Sequence, residues 1–179
     1  MHLIHVVGRK AMILVVNTTS DTSITEEIRK QAADKSLDPE IVEAAELKIS
    51  HCIGCNYCWL KTPGECAVKD DYEIILKKLI HADQYWVISD TALGNIDHKG
   101  KNVFDRILPI LTMNLKFAGG QMRHVSRYGK NADVGLIITG DADREYLERW
   151  TERAALNLES KALGVFGKDE IKEAVSCMF

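Results

Sequence analysis

Five short apolar runs alternate with amphipathic stretches along this chain, and that alternation restricts the fold more than any other feature of the sequence. The runs fall at residues 12–16, 42–49, 85–89, 134–139 and 162–166. A continuous, β-branched run bounded by polar residues is how a strand buried on both faces looks. Helical stretches separate them. One covers 24–33, where Ser23 and Glu26 have the spacing of a capping box. A second opens at Asp70-Asp71, acidic residues that suit a helix start, and carries Tyr72, Ile75, Leu76, Leu79 and Ile80 at helical spacing. A third covers 102–115 and contains Pro109, which is expected to kink or split it. The fourth follows Gly140-Asp141 with Leu147, Trp150, Ala154 and Leu158 on one face, and the last begins at Asp169. Strand followed by helix, five times over, predicts an α/β fold: one doubly wound five-stranded parallel sheet with helices on both faces. An earlier apolar run at 3–7 is either an edge strand or a leader. Residues 117–131 form an excursion around Gly119-Gly120. With 179 residues and no visible boundary, a single domain is expected.

Ligands of such sheets lie beyond the carboxyl ends of the strands, where strand order reverses. The segments at that edge are 17–23, a cysteine-rich loop at 51–69, 90–100 and 140–143. The second holds four of the five cysteines, Cys52, Cys55, Cys58 and Cys66, spaced C-x2-C-x2-C-x7-C. Three thiols three residues apart converge when the backbone curls around one centre, and Pro63-Gly64 offers a turn that brings the fourth back. Compact runs of this kind hold iron–sulfur clusters, whereas structural zinc sites more often use two separated pairs. Cluster, zinc and four reduced thiols that bind nothing all remain open on spacing alone. The fifth cysteine, Cys177, is a bystander.

Composition narrows the function. A net charge of −3 argues against a nucleic-acid scaffold. No run of 18 apolar residues suggests a membrane span. The first residues are apolar but broken by Arg9 and Lys10 and lack a cleavage site, so they do not look like a signal peptide. A cytoplasmic location with reduced thiols is expected. No Ser-His-Asp order, H-E-x-x-H pair or Walker loop is present, which leaves hydrolysis without a constellation. C-x-x-C occurs twice, as in thioredoxin-like pairs, but here it follows a strand as a loop.

At three places the chain resembles a known family. Cys52-Ile-Gly-Cys55-Asn-Tyr-Cys58 with Cys66 and then Asp70-Asp71 is the most specific. Lys101-Asn-Val-Phe104-Asp105-Arg106 is similar to a K-x-x-x-D-R helix, and Met122-Arg123-His124 with Arg127-Tyr128 to an RH-x-x-RY segment. Together they resemble flavodoxin-like NAD(P)H-dependent FMN reductases, most closely iron–sulfur flavoproteins, over nearly the whole chain. The resemblance implies sheet order 2-1-3-4-5 and bound FMN. It also implies a [4Fe–4S] cluster on Cys52, Cys55, Cys58 and Cys66, and electron transfer from NAD(P)H or a redox partner protein. A homo-oligomer, dimer or tetramer, is implied too. It assigns the FMN phosphate to Ser20, Thr22, Ser23 and Thr25, and the flavin ring to Thr91, Ala92, Leu93, Gly94, Asn95, Gly140 and Asp141.

The chain departs from the family pattern at two of these loops. The first commonly reads G-S-P-R-x-x-G-x-T; here it is Thr18-Thr-Ser-Asp-Thr-Ser-Ile-Thr25, closer to the flavodoxin loop, with Asp21 where a phosphate dianion would sit. The second lacks the usual Pro and Tyr. An alternative reading is therefore a flavodoxin-like domain without flavin, acting as a binding, sensing or assembly module. Arg123, His124, Arg127 and Tyr128 are candidates to close over a flavin, to hold a nicotinamide phosphate or to join subunits. His51 is a candidate donor to a cluster, and Tyr57 and Trp59 candidate shields of it. His98 is a weaker candidate to face a ligand. Lys101, Asp105 and Arg106 read as a structural polar set.

Overall fold

The computed structural model describes residues 11–179, so the apolar run at 3–7 lies outside the described residues. In chain order the elements are β1 (Ile13–Asn17), α1 (Ser23–Asp34), β2 (Glu40–Glu43), α2 (Tyr57–Leu60), α3 (Tyr72–Leu79) and β3 (Gln84–Ser89). Then come β4 (Thr91–Ala92), β5 (Asn95–Ile96), α4 (His98–Asp105), a 3-10 turn (Leu108–Ile110), β6 (Leu111–Ala118) and β7 (Gln121–Ser126). The chain closes with β8 (Asp133–Ile138), α5 (Arg144–Asn157), β9 (Ala162–Gly167) and α6 (Ile171–Ser176). The central sheet is parallel throughout, in the order β2-β1-β3-β8-β9. Taking those five strands in sequence, this is the expected 2-1-3-4-5.

Successive side chains of a strand point to opposite faces, and the core divides accordingly. Leu14, Val16, Tyr85, Val87, Leu136 and Ile138 bury against α3, α4 and α5. Ile13, Val15, Trp86, Ile88 and Ile137 bury against α1 and α6. Trp86 fits only because Gly135 of the neighbouring strand has no side chain: a Cβ there would stand 2.3 Å from the indole.

Several local expectations are corrected. Helix α1 has Thr22 at its cap with no side-chain cap bond, so Ser23 and Glu26 form no capping box; the Ser23 hydroxyl turns back to Asp21. The second strand is Glu40–Glu43 rather than 42–49. Its partner β1 ends at Asn17 opposite Glu43, and the chain beyond leaves the sheet to run along α4, where Lys99 and Asn102 bond the carbonyls of Ala45 and Ile49. The loop at 90–100 contains a minimal hairpin, β4 with β5, turned at Leu93-Gly94.

The largest correction concerns 102–131. Helix α4 starts earlier, capped by the Asp97 carboxylate on Gly100 N–H, and stops at Asp105. Pro109 sits in the 3-10 turn, and 111–118 is a strand, not the continuation of a helix. Leu111, Met113, Leu115 and Phe117 alternate with Thr, Asn and Lys, a period of two. The supposed excursion is its partner β7, joined through Gly119-Gly120, both with positive φ as a two-residue hairpin turn requires. Along α3, Ile80 is only partly buried against the core. Among the described residues no helix is long and apolar enough to cross a membrane.

Replacing Gly135 by Ala is expected to overpack the contact with Trp86 and lower stability by about 2 kcal/mol. A urea denaturation with a reduced midpoint and an unchanged slope is the expected result; an unchanged midpoint contradicts this account of the packing.

Candidate functional site

The carboxyl edge of the sheet gathers the loops after β1, β3 and β8. Asn17 is fully buried at the end of β1. Its side-chain amide donates to Glu43 at 2.8 Å, and its carbonyl oxygen accepts from the Thr19 N–H and hydroxyl. Thr25 donates its hydroxyl to Glu43 at 2.6 Å. Asp21 accepts from both the N–H and the hydroxyl of Ser23, at 3.1 and 2.5 Å. The Ser23 hydroxyl bond, with the Ser23 N–H bond and a lesser contribution from the charge of Lys168, holds the Asp21 carboxyl below the usual carboxylate range against the opposing desolvation. Ser20 and Thr22 are exposed at the same rim. Of the four predicted phosphate hydroxyls, two are therefore bonded to carboxylates of the chain itself.

The ring-side loops are joined. The Thr139 hydroxyl donates to Asp90 at 2.5 Å, and the Asp143 N–H to the Gly94 carbonyl at 2.9 Å. A Cβ on Gly140 would stand 2.5 Å from the Thr91 hydroxyl, so bare backbone is what lets these loops touch. Leu93 projects fully exposed from the hairpin tip with φ 52°, a conformation that costs a branched side chain energy. Ala92 is exposed, and Thr91, Gly94 and Asn95 are half-buried. Gly140 and Asp141 line an adjoining groove of about 520 Å³ with Thr139, Arg144 and Lys168. The predicted ring contacts thus share one edge, with open space and backbone beside them, while the phosphate end is filled by Asp21 and Glu43.

The cysteine loop lies elsewhere on the molecule. No hydrogen bond, ion pair or ring contact among the described residues links 51–69 to 18–25, 91–95 or 139–143. The loop is fastened instead to the end of α4 and the base of the β6–β7 hairpin. Arg106, only 2% exposed, is its main anchor. Its guanidinium bonds the Asp70 carboxylate at 2.5 Å, the Ser50 carbonyl at 3.2 Å and the Val68 carbonyl at 3.0 Å, so one side chain holds both ends of the loop. Asp70 also accepts from the N–H groups of Ser50 and Tyr72, and Asp71 from that of Lys48. The acidic pair therefore ties loop to helix rather than merely opening α3. Tyr72 lies under the guanidinium, 4.7 Å from ring centroid to Cζ.

The middle of the loop is held by the segment after β6. Arg127 donates to the carbonyls of Pro109, Leu111 and Cys58. Trp59 donates its indole N–H to Leu108 at 2.9 Å and stacks on His124 at 4.7 Å. Gly64 lies beside Arg127 and the Tyr128 hydroxyl, where a Cβ would come within 3.0 Å of the latter. Three of the four residues of the basic-aromatic segment thus grip the cysteine loop, a role absent from their candidate list. His51 is exposed, as are Tyr57 and His98. Cys58 is the second residue of the one-turn helix α2, which follows the left-handed Asn56. Lys101 pairs with Asp105, and only Arg106 of that polar set turns inward.

All four loop cysteines are free and half-buried. Burial pushes the Cys58 thiol up, and Cys66, Cys52 and Cys55 push it the same way, which puts the four sulfurs in one neighbourhood. Among the described residues no group of three or more His, Cys, Asp or Glu side chains is close enough together to hold a metal ion. One tetrahedral ion needs all its sulfurs about 2.3 Å from a single point. A multi-iron cluster binds each thiolate to a different iron and so takes ligands set further apart. Four free thiols on one short segment are the donor type that either centre uses.

An iron–sulfur flavoprotein of Methanocaldococcus jannaschii is 32% identical over 136 residues, which span 68% of this chain and 69% of that relative. The chain belongs to the iron–sulfur flavoprotein family. Membership gives it a flavin-dependent redox role. An iron–sulfur flavoprotein of Archaeoglobus fulgidus is 35% identical over 83 residues, 46% of this chain and 38% of the relative. No family model matches. Among solved structures, RosB with bound 8-demethyl-8-formylriboflavin-5'-phosphate superposes with a TM-score of 0.63 at 14% identity, covering 93% of this chain and 76% of that one. The NAD(P)H:quinone oxidoreductase of Methanothermobacter marburgensis gives 0.57 at 12% identity, with 95% of both chains covered. At these identities the structures establish the fold alone.

Reasoning from sequence missed Glu43, Asp70 and Arg106 as holders of the two loops. The signal for the last two was an Arg one residue past a helix and an acidic pair just after the last cysteine. Asp70→Ala leaves Arg106 buried without its counter-charge and is expected to cost about 4 kcal/mol, read by denaturant unfolding. Burial alone would raise the Asp70 carboxyl, but the Arg106 bond and two N–H donors outweigh it and hold it below the ordinary range. Its stabilisation is thus complete above about pH 3.9 and disappears as pH falls through the depressed native value. Asp70→Asn is expected to erase that acid-dependent component; an acid limb identical to the parent's contradicts the ion pair's role.

Proposed function

We propose that this chain is an FMN-dependent oxidoreductase. In this reading it carries a [4Fe–4S] cluster on Cys52, Cys55, Cys58 and Cys66. It moves electrons from NAD(P)H or a redox partner protein to an acceptor. The observation that carries the reading is the cysteine loop: four free, mutually influencing thiols on a segment clamped at both ends and in the middle by two arginines. Family membership supports the flavin, and the relatives' own names pair flavin with iron and sulfide.

When bound, flavin exchanges one or two electrons and a cluster one; the protein contributes position, exclusion of water and electrostatics. Trp59 and His124 cover one side of the cysteine loop. Thr91, Ala92, Leu93, Gly94 and Asn95, with Gly140 and Asp141, offer an edge for the ring. Ser20, Thr22, Ser23 and Thr25 offer hydroxyls for the phosphate once Asp21 and Glu43 release theirs. Lys168 beside Asp21 supplies a cation at that end. Free thiols fit a reducing compartment such as the cytoplasm. Met113, Leu115, Phe117 and Met122 are exposed on the β6–β7 hairpin, which supports assembly into a dimer or tetramer.

The carboxylates at the phosphate end favour a second reading, a flavin-free binding, sensing or assembly module. Anaerobic purification and reconstitution with iron, sulfide and FMN separates the two. The first predicts about four irons per chain and flavin absorbance, both retained on gel filtration, with Cys58→Ser losing the iron but keeping the fold. A colourless chain after reconstitution rules it out. Titration of FMN against riboflavin tests Asp21: Asp21→Gly is expected to tighten FMN severalfold and leave riboflavin unchanged, because only the phosphate competes with that carboxylate.

A further inference from the structure

Arg106 makes three hydrogen bonds around the cysteine loop, yet one of its nitrogens makes none. Nη1 serves Asp70 and Ser50, and Nη2 serves Val68. Nε is buried and has no hydrogen-bond partner. A buried N–H left unpaired costs about 1–3 kcal/mol, and native proteins rarely keep one without a reason. Arg106 and Cys66 both line a small cavity of about 210 Å³, together with Tyr72, Gly64 and Tyr128. A neutral thiol is a poor acceptor, whereas a thiolate ligand accepts a charge-assisted bond well.

We propose that Arg106 is the positioning residue of Cys66: its free Nε–H is the donor held ready for the Cys66 sulfur once that sulfur ligates the cluster. The inference rests on the cluster reading above and adds to it the residue that tunes the ligand. Three bonds from the same guanidinium to Asp70, Ser50 and Val68 fix its plane, so Nε cannot swing away to water. Hydrogen bonds to ligand sulfurs are one of the levers on cluster potential, because they stabilise the more negative, reduced state.

The test uses the whole chain, reconstituted anaerobically. Arg106→Lys keeps a positive charge but cannot make the planar set of bonds. It is expected to bind the cluster with a midpoint potential more negative than the parent's. Lys101→Met, which removes an exposed charge from the same helix, is expected to leave the potential unchanged. A purely structural role for Arg106 would loosen the loop without this selective shift. A potential equal to the parent's in Arg106→Lys overturns the proposal. Should that variant fail to fold, the parent itself decides. With 15N-labelled arginine, pulsed EPR of the reduced cluster is expected to show coupling to one arginine nitrogen, and a loaded parent without it sinks the donor role alone. A parent that takes up no iron overturns the cluster reading, and this inference with it.

Discussion

The buried ion pair between Asp70 and Arg106 governs the chemistry-bearing part of this molecule. The sheet would stand without it, since its core is apolar on both faces. The cysteine loop would not. Its segment 51–69 contains a single four-residue helix and no disulfide. Ordering backbone costs about 1–2 kcal/mol per residue, and this loop has little regular hydrogen bonding to offset it. One guanidinium that reaches the residue before the loop, its last residues and the next helix supplies three of the missing bonds at once. Such a pair is poor value for stability compared with well-packed apolar residues. Its use here is geometric, because only a planar, multiply donating group can fix two chain ends at a defined separation.

The rim of the sheet shows the opposite arrangement. There the chain's own carboxylates sit on the donors that a phosphate would use. Asp21 satisfies the first turn of α1 and Glu43 satisfies Asn17 and Thr25. Unpaired donors at a helix start attract anions, and a carboxylate two residues upstream meets that demand intramolecularly. A dianion entering from solvent gains the same N–H groups but must first displace a charge of its own sign. The ring-side loops carry no such obstacle, so under the proposed function flavin recognition would rest more on ring and ribityl contacts than on phosphate.

Four of the five parallel strands were legible because a strand buried by its neighbours leaves a continuous apolar run, as in residues 85–89, whereas the edge strand Glu40–Glu43 buries one residue and was placed too late. The cysteine loop was legible because four of the five cysteines fall within one short segment. The β6–β7 hairpin was not, though Leu111, Met113, Leu115 and Phe117 alternate faithfully. A helix-like stretch at 98–105 led into it, and Pro109 was expected to kink or split a helix that in fact ends at Asp105. The hairpin's apolar side is largely exposed, with Phe117 at 72%, so no burial pattern marked it out as a separate element. Arg106 was legible as a structural residue but not as a loop anchor. Its partners lie 36 and 56 positions away, and no local period encodes a contact of that separation.

The same residues explain why the site is held so firmly before any cofactor is considered. Thiolate ligands repel one another and resist burial, and both effects push the Cys58 thiol up. A loop free to relax would let the four sulfurs drift apart. Here Arg106 fixes the ends, Arg127 fixes the Cys58 carbonyl, and Trp59 is pinned between Leu108 and His124. Gly54, Asn56 and Gly64 take left-handed conformations that turn the backbone between the cysteines. Repulsion among the sulfurs is then borne by the frame rather than released by motion. That is the condition under which metal binding adds to the stability of a nearly formed loop instead of having to order the loop from the start.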